Sequence, residues 1–288
     1  MARNVAVAVI HGMGEQKKTP GMPSNHLTFS GSLYKKVRGK LSADEVGHVA
    51  WREIFWQDIM HDRQLSYLNQ LNFAFTWKFP RRFVMTRLAD AASYRRAGDD
   101  GDEIYDEIHL RVRGVLEELR NEVGEDRPLI LVAHSLGGHI LSNYIYDNTK
   151  DVNGATRDFH KMGTLQFLMT FGCNIPVFTF AYQPEKVTPI QPPIAHRHQA
   201  GDAPWWMNIY DKNDPLGYPL GPIGPSYDGL IRSGQLVDER ITSGLPLPVI
   251  SQATSHNAYW KDRDVYVPLA QRIKAAIAAN QAGPEGPA

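Results

Sequence analysis

The 288-residue chain has one cysteine, Cys173, so no disulfide can form within it and no zinc site can be built on cysteines. Cys173 follows an apolar run and reads as a small core residue rather than a nucleophile. A chain so poor in cysteine suits a reducing compartment, and a cytoplasmic location is expected. Neither sign of charge is in excess: lysine plus arginine number 31, and so do aspartate plus glutamate. That balance gives no reason to expect nucleic acid or an anionic membrane surface as a partner. No repeat of fixed period is visible, and no apolar run is long enough to cross a bilayer. The run Val5–Ile10 is too short for the core of a signal peptide and has only Arg3 as a basic residue ahead of it, so it is read as a first strand. His196 and His198 alternate as metal ligands can, but no third ligand accompanies them, and no metal is expected.

What the chain does have is Pro128–Tyr146, PLILVAHSLGGHILSNYIY. A buried strand, Leu129–Ala133, runs through His134-Ser135-Leu136-Gly137-Gly138 into an amphipathic segment, His139–Tyr146. A sharp strand-to-helix turn of this kind holds its serine clear of the sheet, with the hydroxyl above the strand ends. Ala133 and Gly137, two positions to either side of Ser135, are small, as they must be where strand and helix fold back on each other. The helix starting at Leu136 aims its first N–H groups at the serine, where an oxyanion would form.

Elsewhere the pattern predicts strands at Asn4–Ile10, Leu165–Phe171, Pro204–Tyr210 and Leu247–Ser251. His48–Gln57 is a further strand whose mixed faces place it near a sheet edge. Helices are expected at Leu27–Leu41, Glu103–Val123 and Tyr266–Ala279, with a short one inside Ile175–Tyr182. Pro184–Ala203 reads as irregular, Gly217–Ser226 as a Pro/Gly-rich loop, and 281–288 as a disordered tail. This alternation implies an α/β fold: a mostly parallel sheet with helices on both faces and catalytic groups at the carboxyl ends of the strands. It is read as a single domain over 1–280. Residues 58–100 are an aromatic-rich insertion, expected to be a helical cap; its 65–88 stretch offers a peripheral membrane or dimer contact. Asn69, Gln70, Asn72 and the nearby arginines exclude a spanning helix there.

Four motifs carry a family likeness: HGMG at 11–14, AHSLGG at 133–138, NDPL at 213–216 and SHNAYW at 255–260. Together they resemble the α/β-hydrolase superfamily, in its lipase and serine-esterase branch, over most of 4–279 apart from the insertion. The serine turn is similar to the nucleophile elbow of that family, Gly-x-Ser-x-Gly, with Ala133 standing for the first glycine. The resemblance implies the chain order serine, acid, histidine, and so Ser135 as nucleophile, Asp214 as acid and His256 as base. Asp211, three residues before Asp214, stays open as the rival acid. The His-Gly loop would supply one oxyanion donor, the N–H of Met13, and Leu136 the other.

The activity so implied is hydrolysis of a carboxylic ester, of a lipid or other acyl group, through an acyl-enzyme and without a cofactor. Thioesters and amides share this machinery. A contrasting reading is a non-catalytic binding protein on the same fold, which would leave Asp214 or His256 out of reach of Ser135.

Overall fold

The computed structural model describes residues 2–12, 26–59, 94, 103–152, 156, 158–243 and 255–282. The expected oxyanion donor Met13, nearly all of the 58–100 insertion, the strand expected at 247–251 and residues 283–288 lie outside them.

Among the described residues, six strands form one sheet: β1 (Val5–Ile10), β2 (Val49–Ile54), β3 (Leu129–His134), β4 (Leu165–Phe171), β5 (Trp206–Asp211) and β6 (Leu236–Ile241). Every neighbouring pair is parallel, in the order β2-β1-β3-β4-β5-β6. Parallel strands need crossovers, and helices supply them: α1 (Gly31–Arg38) and α2 (Ala43–Gly47) before β2, then α3 (Glu103–Val123) before β3. After β3 come α4 (Leu136–Thr149), then α5 (Ile175–Thr179) and α6 (Pro193–Arg197) between β4 and β5, α7 (Pro225–Arg232) before β6, and finally α8 (Arg263–Ala282).

Alternate residues of the strands divide between two cores. Val5, Val7, Val9, Ile130, Val132, Phe167 and Met169 pack with Leu33 and Val37 of α1 and with Val265, Leu269, Ile273 and Ile277 of α8. Ala6, Ala8, Ile10, Leu129, Leu131 and Ala133 pack with Ile108, Val112, Leu116 and Leu119 of α3 and with Ile140 and Leu141 of α4. Burial on both faces is why these strands read as continuous apolar runs. The winding moves outward from β1 to β2, then restarts with β3 on the other side of β1. Such a reversal opens a crevice at the carboxyl ends of the two central strands. His11-Gly12 leaves one of them and Ser135 leaves the other.

Several elements differ from expectation. The helix expected over 27–41 begins only at Gly31. Buried Glu53 accepts the N–H groups of Thr28 at 2.8 Å and Ser30 at 2.6 Å, which ties 28–30 to β2 instead. Within the Pro/Gly-rich stretch 217–226, Pro225 opens α7, and β6 follows it. β6 does not show in the apolar pattern because it is the outermost described strand, LVDERI, with Glu239 and Arg240 exposed. Inside 184–203, a short helix, α6, replaces wholly irregular chain.

Two histidines are spent on packing. His11 stacks on Trp56 with ring centroids 5.2 Å apart, and His139 of α4 stacks on Phe178 at 4.0 Å. Burial pushes both imidazoles down from 6.5 to about 4. Each is neutral in the folded chain but takes up a proton in the unfolded chain below its ordinary pKa. The unfolded state therefore binds more protons between pH 6.5 and about 4, and stability falls as pH falls through that window. For fully buried His11 the loss is on the order of 3 kcal/mol. Urea unfolding at pH 7 and pH 4.5 should show this drop, and His139→Leu, which keeps an apolar group against Phe178, should flatten it; a slope unchanged in the variant would contradict the assignment to His139.

Candidate active site

Ser135 joins β3 to α4 with φ 55° and ψ −128°, in the left-handed half of the backbone map that serine rarely occupies. Its N–H is held by the Phe171 carbonyl of β4 at 3.1 Å. The chain leaving β1 presses against it so closely that a Cβ on Gly12 would come within 2.3 Å of the Ser135 Cβ. Gly137, the second residue of α4, lies similarly close to the chain leaving β1, where a Cβ would meet the His11 carbonyl at 2.6 Å. Only glycine fits at either position, which gives Gly12 and Gly137 of the two motifs a steric cause. His11 fixes the Gly12 side: its Nδ1 lies 2.6 Å from the Gly12 carbonyl, while its own carbonyl accepts the Trp56 indole N–H at 3.0 Å.

The structure brings Ser135, His256 and Asp214 together from three separate segments. His256 Nε2 lies 2.9 Å from Ser135 Oγ. His256 Nδ1 lies 2.9 Å and 3.0 Å from the two oxygens of Asp214. With Nδ1–H donated to the carboxylate, Nε2 is left with its lone pair facing the serine hydroxyl. All three residues are buried, so these contacts act in a medium less screened than water.

Asp214 sits in the turn after β5, where its N–H is bonded to the Asp211 carbonyl at 3.0 Å. Its carboxylate also accepts the Leu216 N–H and the Tyr259 hydroxyl, each at 3.0 Å. The rival, Asp211, is committed elsewhere. It accepts the Asn213 N–H at 2.8 Å and both the N–H and the hydroxyl of Ser243, so it closes the turn rather than facing the imidazole. His256 lies in a helical turn, 255–258, that leads into a 3-10 turn at Tyr259–Lys261. The turn is tied to the elbow by His134, whose Nε2 donates to the His256 carbonyl at 2.7 Å. That bond fastens the turn carrying His256 to β3.

Leu136 opens α4, and the N–H groups of a first helical turn have no intrahelical acceptor. Cys173 is fully buried, with its thiol pushed up to about 12 by burial, as suits a core residue. Among the described residues no group of three or more His, Cys, Asp or Glu is placed to hold a metal ion, and no helix is long and apolar enough to cross a membrane. An apolar groove of about 470 Å³ lies between the segments leaving β4 and β5, walled by Pro176, Phe180, Tyr182, Val187, Tyr218 and Ile223. A larger, more open cleft of about 1080 Å³ runs beside α7 and β6, and the described lining of neither cavity includes Ser135, Asp214 or His256. Tyr259 went unnoticed in the sequence as a site residue. The available signal was its place three positions after His256, where one helical turn points two side chains the same way.

No protein-family model and no curated protein matches the chain. Solved structures similar to it include a cutinase-like protein from Cryptococcus sp., at 8% identity and a TM-score of 0.41, with 95% of each chain covered. Esterase PE8 is similar at 13% identity and a TM-score of 0.42, over 96% of this chain and 94% of that one. An α/β serine hydrolase from Xanthomonas campestris is similar at 13% identity and a TM-score of 0.37, over 98% of this chain and 84% of that one. Likenesses at these scores carry no argument about chemistry. Six parallel strands wound in this order, with a left-handed serine joining the central β3 to its helix, are themselves the α/β-hydrolase fold, and the chain has it.

Proposed function

We propose that the chain is a serine hydrolase that cleaves carboxylic esters. The observation that carries this reading is the unbroken run of hydrogen bonds from Asp214 through His256 to Ser135. A serine hydroxyl is protonated at neutral pH and needs an adjacent base, and the base needs an acid to fix its tautomer. In this reading His256 Nε2 takes the Ser135 proton as Oγ attacks the ester carbonyl. Asp214 stabilises the imidazolium that forms. The N–H groups of Leu136 and Met13 hold the oxyanion. The departing alcohol takes the proton from His256, and water, activated by the same imidazole, releases the acid from the acyl-enzyme.

General-base help of this kind contributes about 10²–10⁴-fold, and one oxyanion donor about 3 kcal/mol. The binding-protein reading needs His256 or Asp214 displaced from Ser135, the opposite of the 2.9 Å spacings. For the substrate, the reading takes the apolar groove, which meets the Asp214 turn at Tyr218, as the place for an uncharged, apolar portion of the ester. Its described lining carries no charged side chain, and Phe180 and Tyr182 stand 79% and 66% exposed at its rim.

Ser135→Ala should lower hydrolysis of p-nitrophenyl butyrate by at least about 10⁴-fold and abolish labelling by a fluorophosphonate; labelling that survives the substitution would count against the reading. Asp214→Asn should cost about 10⁴-fold in kcat with the fold intact. Asp211→Asn should instead lower the melting temperature and keep most of the turnover; the reverse ranking would give the acid role to Asp211. Phe180→Ser should leave acetyl-ester turnover unchanged and raise KM for an octanoyl ester, and equal effects on both esters would remove the groove from the substrate path.

A further inference from the structure

The segment that delivers the base also delivers a second group to the acid. Residues 255–261 form consecutive helical turns, and His256 and Tyr259 stand three positions apart on them. Both reach the same carboxylate oxygen: His256 Nδ1 lies 2.9 Å, and the Tyr259 hydroxyl 3.0 Å, from Asp214 Oδ2. Tyr259 is fully buried. Burial first, and then the charge of Asp214, hold the phenol well above the usual tyrosine range, so it stays a neutral donor. Its oxygen accepts the Asp211 N–H at 2.8 Å. A donor chain thus runs from that N–H through the phenol to the carboxylate, and each link polarises the next.

The backbone leaves a slot for this pair. Gly172, at the exit of β4, has φ 57°, and a Cβ there would stand 2.9 Å from the Tyr259 ring and 3.0 Å from Asp214 Oδ2. Gly217, three residues after the acid, lies so close that a Cβ would be 2.6 Å from Asp214 Oδ2 and 3.0 Å from the phenol oxygen. Two chain segments have therefore given up side chains where the hydroxyl meets the carboxylate.

We propose that Tyr259 is a positioning residue, whose hydroxyl locks the Asp214 carboxylate in the orientation that keeps His256 aimed at Ser135. The proposal rests on the serine-hydrolase reading. A carboxylate can turn about its Cβ–Cγ bond. Leu216 N–H on Oδ1 and the phenol on Oδ2 hold it from both sides, and the imidazole Nδ1–H meets both oxygens only in that orientation. Packing alone does not account for the hydroxyl. The ring contacts with Phe171 and His134 would survive replacement by phenylalanine.

The test is Tyr259→Phe in the full chain, read by ester kinetics and by the proton resonance of His256 Nδ1–H. Loss of one hydrogen bond to a charged group should lower kcat roughly tenfold with KM little changed, and should shift or broaden that resonance. Should Tyr259→Phe fail to fold, 3-fluorotyrosine placed at 259 keeps the ring and hydroxyl while making the phenol a stronger donor, and it should shift the same resonance; an unmoved resonance would overturn the proposal. An active wild type beside a variant with unchanged kcat and an unchanged resonance would overturn the proposal, even if the variant melted earlier. A wild type that neither turns over an ester nor takes a fluorophosphonate would overturn the serine-hydrolase reading instead.

Discussion

Ser135 occupies a backbone conformation that side chains avoid, and the carboxyl end of the sheet is arranged to keep it there. Holding a non-glycine residue in such a region costs on the order of 1–3 kcal/mol, which the surroundings must offset. The Phe171 carbonyl captures its N–H, and glycines at 12 and 137 allow β1 and α4 to close on it from both sides. The reward for that strain is direction. The hydroxyl is turned off the strand axis into the crevice where the winding of the sheet reverses, and there it meets an imidazole carried by a distant turn.

Buried acids do much of the remaining organisation. Glu53, Asp211 and Asp214 are buried and Asp238 is half-buried, and each is answered mainly by N–H and O–H donors. Glu53 binds 28–30 to β2; Asp211 gathers Asn213 and Ser243; Asp238 takes the N–H groups of Leu220 and Gly221 and the side-chain amide of Asn208. A carboxylate removed from water must be given donors, and a loop backbone can supply several at once. The same requirement that makes these residues costly to bury makes them effective ties between loops and strand ends. Asp214 is the member of the set that spends part of its capacity on an imidazole.

Much of this was legible in the chain, for physical reasons that differ by element. β4 and α3 could be read with their full bounds because burial on two faces, or on one helical stripe, writes itself into apolar spacing. β6 could not, since a strand with Asp238 turned to a loop and two exposed charges has no apolar rhythm. α7 was hidden by Gly224-Pro225, which reads as a turn but also opens a helix. The start of α1 depends on Glu53, a residue on another element, and no local pattern contains it. At the site, Ser135, Asp214 and His256 were singled out by motif, and the structure places them side by side. The bonds made by His134 and Tyr259 join residues 122 and 45 positions apart, and only the folded chain reveals them.

The central claim is that an imidazole oriented by Asp214 makes one serine, and no other, nucleophilic. Peptide mapping by mass spectrometry after reaction with a fluorophosphonate tests it most directly. The account predicts a single adduct on the peptide spanning 128–146, at Ser135, that unfolding the protein beforehand prevents. An adduct at another serine, or none on the folded protein, would contradict it.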